Sequence, residues 1–310
     1  MEVTVSSIPL PIDEHYMIKK QRLIGETQDT PTRLCIVSGI HGDELEGQYV
    51  CYRLQEKLKE LKGKWNGIVD IYPCLNPLGV DSITRKVPMF DLDMNRIFPG
   101  DAEGSMVEYV SSCIIDDIQG ADLVIDIHAS NIYLREIPQI RINEQQKEKL
   151  LPMAKWLNMD YIWIHSASTV LESTFAYSLN ERWTPTLVVE MGVGMRLTPS
   201  YGDRLCDGIL NAMMHLGMMK VQKLSIKKPI ISTDGQVHFL NAPCSGLFIP
   251  VVHHENLVRK GDLIGHIVSP LGGIVKSEII SPCDGLLFTL REYPIVNEGN
   301  LLGRLLECTL

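Results

Sequence analysis

Hydrophobic residues along this chain fall into two textures. Up to about residue 222, short apolar β-branched runs alternate with amphipathic stretches. Thr32 to Ile40 (TRLCIVSGI), GIVDIYPCLNP, ADLVIDIHAS and TPTLVVEMG read as buried strands. After the first of them the period changes: Leu45, Tyr49, Val50, Leu54, Leu58 and Leu61 recur every three to five residues, with Glu56, Lys57, Lys59 and Glu60 between them. That predicts an amphipathic helix stopped near Gly63. A second helical pattern covers Glu144 to Leu157. Strands alternating with helices indicate an α/β sandwich on a largely parallel sheet, whose ligands collect outside the carboxyl ends of the strands.

Beyond residue 223 the long helical period disappears and short strands alternate with turns. APCSGLF (Ala242 to Phe248) and SPCDGLL (Ser281 to Leu287) look like two copies of one unit, and VRKGDLIG and VNEGNLLG like two copies of another. Such alternation predicts a small all-β domain of two similar halves. The expected organisation is therefore residues 1–222 as a catalytic α/β domain and 223–310 as the β domain.

Composition narrows the classes of function. The 310 residues are 45% hydrophobic, with 29 basic and 38 acidic side chains and a formal net charge of −9. An acidic chain without a basic block is a poor partner for nucleic acid or an anionic membrane. Its apolar runs are too short to span a bilayer, and its start lacks the pattern of a signal peptide. The eight cysteines form no C-x-x-C pair, which suits a reduced, cytoplasmic protein. The sequence leaves the oligomeric state open, a homo-oligomer included.

Candidate chemistry sits where the apolar runs end. His41 and Glu44 follow the first strand in SGIHGDELEG, His128 ends another in LVIDIHAS, and Glu190 ends a third in LVVEMGVG. Two imidazoles and a carboxylate can hold a catalytic zinc with a fourth position open to water, and a further carboxylate can move that water's proton. His41 and Glu44 are three apart at a helix start, so both can face one point, with Gly42 expected to let the backbone pass close to a metal. A solvated helix start, with Asp43 and Glu44 toward the dipole, explains H-x-x-E without any metal. Asp126 shares a strand face with His128 and is costly there unless paired. It either orients the ligating imidazole or bonds nearby backbone. Glu190 in turn reads as either a proton carrier or a strand-end salt bridge. Asn76 to Gly100 reads as a polar loop, in which Arg96 offers a fork for a carboxylate, Asn95 a donor beside it, and Arg85 a second cation for that carboxylate or for an oxyanion. His165, His238, His253, His254 and His266 lack partners at ligand spacing. No G-x-S-x-G elbow or phosphate loop is present.

SGIHGDELEG, NPLG, DLDMNRIFPG, DIHAS and VVEMG, in this order over roughly residues 33 to 194, resemble the succinylglutamate desuccinylase/aspartoacylase branch of the zinc carboxypeptidase superfamily. The resemblance implies a carboxypeptidase-like α/β/α sandwich with a mostly parallel central sheet, and one zinc ion held by His41, Glu44 and His128. It implies Glu190 as general base and acid, Asn95 and Arg96 as the pair holding a substrate carboxylate, and Arg85 as a further arginine of the substrate loop. The tail resembles the biotinyl/lipoyl sandwich, but SPLGGIVKSEI lacks the Met-Lys-Met signature, so Lys276 is not expected to carry a cofactor; the β domain should cover the site or make a subunit contact. The expected activity is a zinc-dependent amidohydrolase that removes the acyl group of a small N-acyl amino acid. A metallocarboxypeptidase acting on short peptides and a non-catalytic metal-binding protein are the alternatives.

Overall fold

The computed structural model describes residues 1–26, 31–166, 173–220 and 223–308. The apolar runs form the middle of a twisted sheet. β3 (Arg33–Ser38), β4 (Ile68–Tyr72), β5 (Leu123–His128) and β8 (Thr186–Gly192) lie parallel in the order β4-β3-β5-β8. β1 (Glu2–Pro9) and β2 (His15–Ile24) add antiparallel strands beside β4. On the other side β6 (Leu134–Asn143) runs antiparallel to β8 and parallel to β7 (Tyr161–His165), which pairs with β9 (Ile230–Thr233).

Helices cover both faces of this sheet. α1 (Glu46–Glu60), α4 (Lys147–Ala154) and α6 (Pro199–His215) bury Val50, Leu54, Leu150, Leu205 and Ile209 in one core. α3 (Met106–Ile118) and α5 (Phe175–Glu181) bury Val110, Ile114, Phe175 and Leu179 in the other. The amphipathic stretch after Leu45 is α1, as its period predicts. α4 is shorter than the Glu144–Leu157 pattern: a 3-10 turn occupies Glu144–Gln146, where the Asn143 side chain accepts from the Gln145 amide and competes with helical bonding. The Asn76–Gly100 segment is more ordered than a polar loop suggests. It carries α2 (Pro77–Ser82), capped by the Asn76 side chain, and a 3-10 turn at Met94–Arg96.

The C-terminal strands are β10 (Val237–Asn241), β11 (Gly246–Pro250), β12 (Leu257–Val258), β13 (Leu263–Ser269), β14 (Ile274–Ile280), β15 (Gly285–Arg291), β16 (Ile295–Val296) and β17 (Leu301–Glu307). The sequence repeat is visible in their pairing. β11 pairs β13 as β15 pairs β17, while β12 crosses to β15 and β16 crosses back to β11. The two halves therefore exchange strands around one core that includes Phe248, Ile264, Leu287 and Leu302.

One half continues into the N-terminal sheet. β15 pairs antiparallel with β6, Thr289 opposite Glu136 and Leu290 opposite Arg135, so a single sheet runs through both regions. Phe288 seals this junction against Tyr161 and Trp163, at ring distances of 5.0 and 5.7 Å.

Candidate active site

The site lies at the carboxyl ends of β3, β5 and β8, where the strand order reverses between β3 and β5. His128 and Glu190 are the last polar residues of β5 and β8 and sit opposite one another in the ladder. His41 and Glu44 come from the turn between β3 and α1, closed by the Glu44 amide donating to the His41 carbonyl. Gly42 has a different role from the one expected of it. A Cβ there would stand 2.0 Å from the Gly79 carbonyl carbon, so it is packing against α2 that requires the glycine.

His41, Glu44 and His128 are buried, and one donor atom from each lies within 4.8 Å of the others. Both imidazoles are held the same way. Asp93 lies 3.0 Å from His41 Nε2, and Asp126 3.0 Å from His128 Nε2. Each ring thus turns Nδ1 inward toward Glu44, at 2.8 Å for His41 and 2.9 Å for His128. His41 Nδ1 has no hydrogen-bond partner despite that short distance. Burial alone would lower both imidazole pKa values, but the carboxylates outweigh it and raise them, His128 well above the ordinary range. Glu44, which burial alone would raise, is held below its usual range by the two rings. Two inward imidazole nitrogens and a buried carboxylate that can exchange their protons for a cation fit a small divalent metal ion.

Beside this set stands Glu190, its side chain 15% exposed. Burial pushes its carboxyl up to about 7, against the pull of Arg141. Arg141 Nη1 lies 3.2 Å from Glu190 Oε1, and its Nη2 donates to Glu136 at 2.7 Å. Glu136 also accepts from Gln139 at 2.7 Å and from Arg304 at 2.5 Å.

The Asn76–Gly100 segment lines the mouth through Arg85, Asn95 and Arg96. Arg85 donates to Glu44 at 2.8 Å and approaches Asp93 at 3.3 Å. Asn95 is committed on one side, since its Oδ1 accepts from the Phe175 amide at 2.9 Å and ties the loop to α5. Arg96 is exposed and donates to the Asn95 carbonyl at 2.7 Å; its charge acts on the nearby Asp93 without a close ion pair among the described residues. A guanidinium so placed can take a carboxylate from solution.

All eight residues singled out in the sequence line one cavity of about 550 Å³. Sequence reasoning missed Asp93, Glu136, Arg141 and Arg304. It also set aside His165, which lines the same cavity with Nδ1 3.4 Å from Asp234. Asp93 had a usable signal, two residues ahead of the Asn95-Arg96 pair. Arg141 had one too, in the strict alternation of Ile140, Arg141, Ile142 and Asn143 that marks a strand with a polar face.

Similar proteins are found both by sequence and by structure. The succinylglutamate desuccinylase/aspartoacylase catalytic domain matches residues 30–216. The N-alpha-acetyl-L-2,4-diaminobutyric acid deacetylase of Halomonas elongata is 25% identical over 287 residues, covering 89% of this chain and 82% of that protein. A succinylglutamate desuccinylase/aspartoacylase from Rhodobacter sphaeroides superposes with a TM-score of 0.81 at 21% identity, covering 99% of this chain and 96% of the other. The product-bound ectoine utilization protein EutE (DoeB) of Ruegeria pomeroyi gives 0.82 at 19% identity, over 99% and 95%. The match spans well over half of the chain, and the protein is a member of the succinylglutamate desuccinylase/aspartoacylase family.

Proposed function

We propose that this protein is a zinc-dependent amidohydrolase that removes the acyl group from a small N-acyl amino acid. The observation that carries the reading is the convergence of His41, Glu44 and His128 beside a separate carboxylate, Glu190, in one cavity. The Halomonas relative, a deacetylase of an acetylated amino acid, supports the substrate class.

His41, Glu44 and His128 would hold the zinc ion, which would supply Lewis acidity toward an acyl carbonyl and a water. The rest is done by this chain's own side chains. Asp93 and Asp126 hold the imidazoles in the ligating tautomer. Glu190 takes the proton of the attacking water and returns it to the departing amine nitrogen; a carboxyl near neutrality suits both transfers. Arg141 keeps Glu190 oriented. Arg96, with the Asn95 amide beside it, receives the substrate carboxylate. Arg85 has Nη2 left over from its bonds to Glu44 and Asp93, available to the oxyanion.

We place the reaction in the cytoplasm, since all eight cysteines are free. Among the described residues no helix is long and apolar enough to cross a membrane. The test is amine release from N-acetyl, N-succinyl and N-formyl amino acids and from short peptides by zinc-loaded protein. Hydrolysis of an acyl amino acid is expected. Cleavage of peptides alone would replace the deacylase reading with a carboxypeptidase, and no turnover of any of them would contradict both.

A further inference from the structure

We propose that the C-terminal β domain positions the catalytic carboxylate, through the chain Arg304–Glu136–Arg141–Glu190. The first link joins residues 168 apart in sequence. It exists because β15 pairs with β6 and β17 pairs with β15, which sets Arg304 opposite Thr289 and Thr289 opposite Glu136.

The argument rests on how Glu136 is shared. Its carboxylate is 1% exposed, so its charge needs partners. Arg304 Nη1 occupies Oε1, while Arg141 Nη2 and Gln139 occupy Oε2. With Oε1 taken, Arg141 engages Glu136 through one nitrogen and keeps Nη1 for Glu190, 3.2 Å away. Without Arg304, Oε1 is open, and the preferred contact of a guanidinium with a carboxylate is two parallel bonds. A fork of Arg141 onto Glu136 through both terminal nitrogens would then release Glu190, whereas one through Nη2 and the unpartnered Nε would keep it. The guanidinium groups of Arg141 and Arg304 both lie against the Trp163 ring, each 5.7 Å from its centre.

The contribution to the site is therefore orientation. Arg304 acts on Glu190 through two intermediates and is a positioning residue. Its kinetic consequence depends on Glu190 being the proton carrier; the rearrangement of Arg141 does not.

Arg304→Met tests it, since methionine keeps a long stem against Trp163 and Phe239 while removing the guanidinium. In a crystal structure of the metal-free variant, Arg141 Nη1 should lie beyond ~4 Å from Glu190, outside ion-pair range, with both terminal nitrogens on Glu136. In the zinc-loaded variant kcat should fall roughly 10–100-fold, the usual size of such supporting effects, with KM and zinc content nearly unchanged. Arg304→Lys should recover part of the loss. Retention of the 3.2 Å contact in the methionine variant would overturn the proposal. So would a rise in KM with kcat intact, which would make Arg304 a substrate ligand, or a loss of activity that tracks a lowered Tm and is not rescued by lysine. If Arg304→Met does not fold, Arg304→Gln retains one donor to Glu136 and should show the same kcat-selective loss in smaller measure. Should the wild type hydrolyse no acyl amino acid, the structural comparison still decides the matter.

Discussion

The two halves of the β domain follow the same chain path, yet one ends at solvent and the other at the active site. They differ at a few equivalent positions. Where the second half has Phe288, fully buried against Tyr161 and Trp163, the first has Ile249, 45% exposed. Where the second has Thr289, paired with Glu136 of β6, the first has Pro250, which has no N–H to offer a neighbouring strand. Arg304 follows VNEGNLLG, and the residue after VRKGDLIG is His266, which faces Glu278 across β13 and β14. A duplicated scaffold thus supplies a closed edge in one copy. In the other it supplies a strand, an aromatic plug and a cation that reach the catalytic sheet.

Substitution in each half should break the equivalence with unequal force. Phe288→Ala should cost about 3–5 kcal/mol, as for a buried aromatic that leaves a cavity, measured by denaturant unfolding. A cost below ~1 kcal/mol would mean that the junction is not a packed core. Asp126→Ala tests support that comes from two residues away rather than from another domain. Metal affinity should drop roughly 10–100-fold by titration of the metal-free protein; an unchanged affinity would make Asp126 a backbone partner only. At the small end, Ile249→Ala and His266→Ala should leave turnover within about twofold and stability within ~0.5 kcal/mol, like other surface changes. A large loss of kcat in either would erase the contrast between the halves.

The pH dependence of turnover concerns Glu190 directly. Its carboxyl must be ionised to accept a proton, and burial, opposed by Arg141, pushes its pKa up to about 7. Activity should therefore rise with pH and fall as pH drops. A cation on the neighbouring ligands favours the ionised form, so the acid limb should lie between the ordinary carboxylate value of 4.5 and about 7. A rate flat across that window would remove Glu190 from the proton transfer.

The same comparison explains what was legible in the sequence. His41, His128 and Glu190 stand out because each interrupts or ends an apolar run, where a polar group has few reasons to be, and Glu44 because it follows His41 by three residues. Asp126 stands out for the same reason, as a charge inside LVIDIH. The repeat in the tail was legible too, because duplicated turns keep Pro, Gly and Asp or Asn in register. Glu136, Arg141 and Arg304 were not, although they line the same cavity. The strand of Glu136 and Arg141, LREIPQIRIN, carries charges and a proline in place of a continuous apolar run, and Arg304 lies far off in sequence on β17. Their meaning also depends on which strand pairs with β6, and one chain's periodicity reports the face a residue occupies without naming its neighbour across the ladder. The change of texture near residue 223 is visible in the sequence, while the sheet that runs through both regions by way of β15 and β6 is a long-range pairing with no local signature.

The most direct test of the account is turnover by Glu190→Gln measured beside the wild type on one N-acyl amino acid, with zinc content determined in both. Glutamine keeps the size of the side chain and removes its ability to carry a proton. The account predicts that zinc stays near one per chain while kcat falls about 10²–10⁴-fold, the range for loss of a general base. Wild-type turnover in a zinc-loaded variant would contradict it.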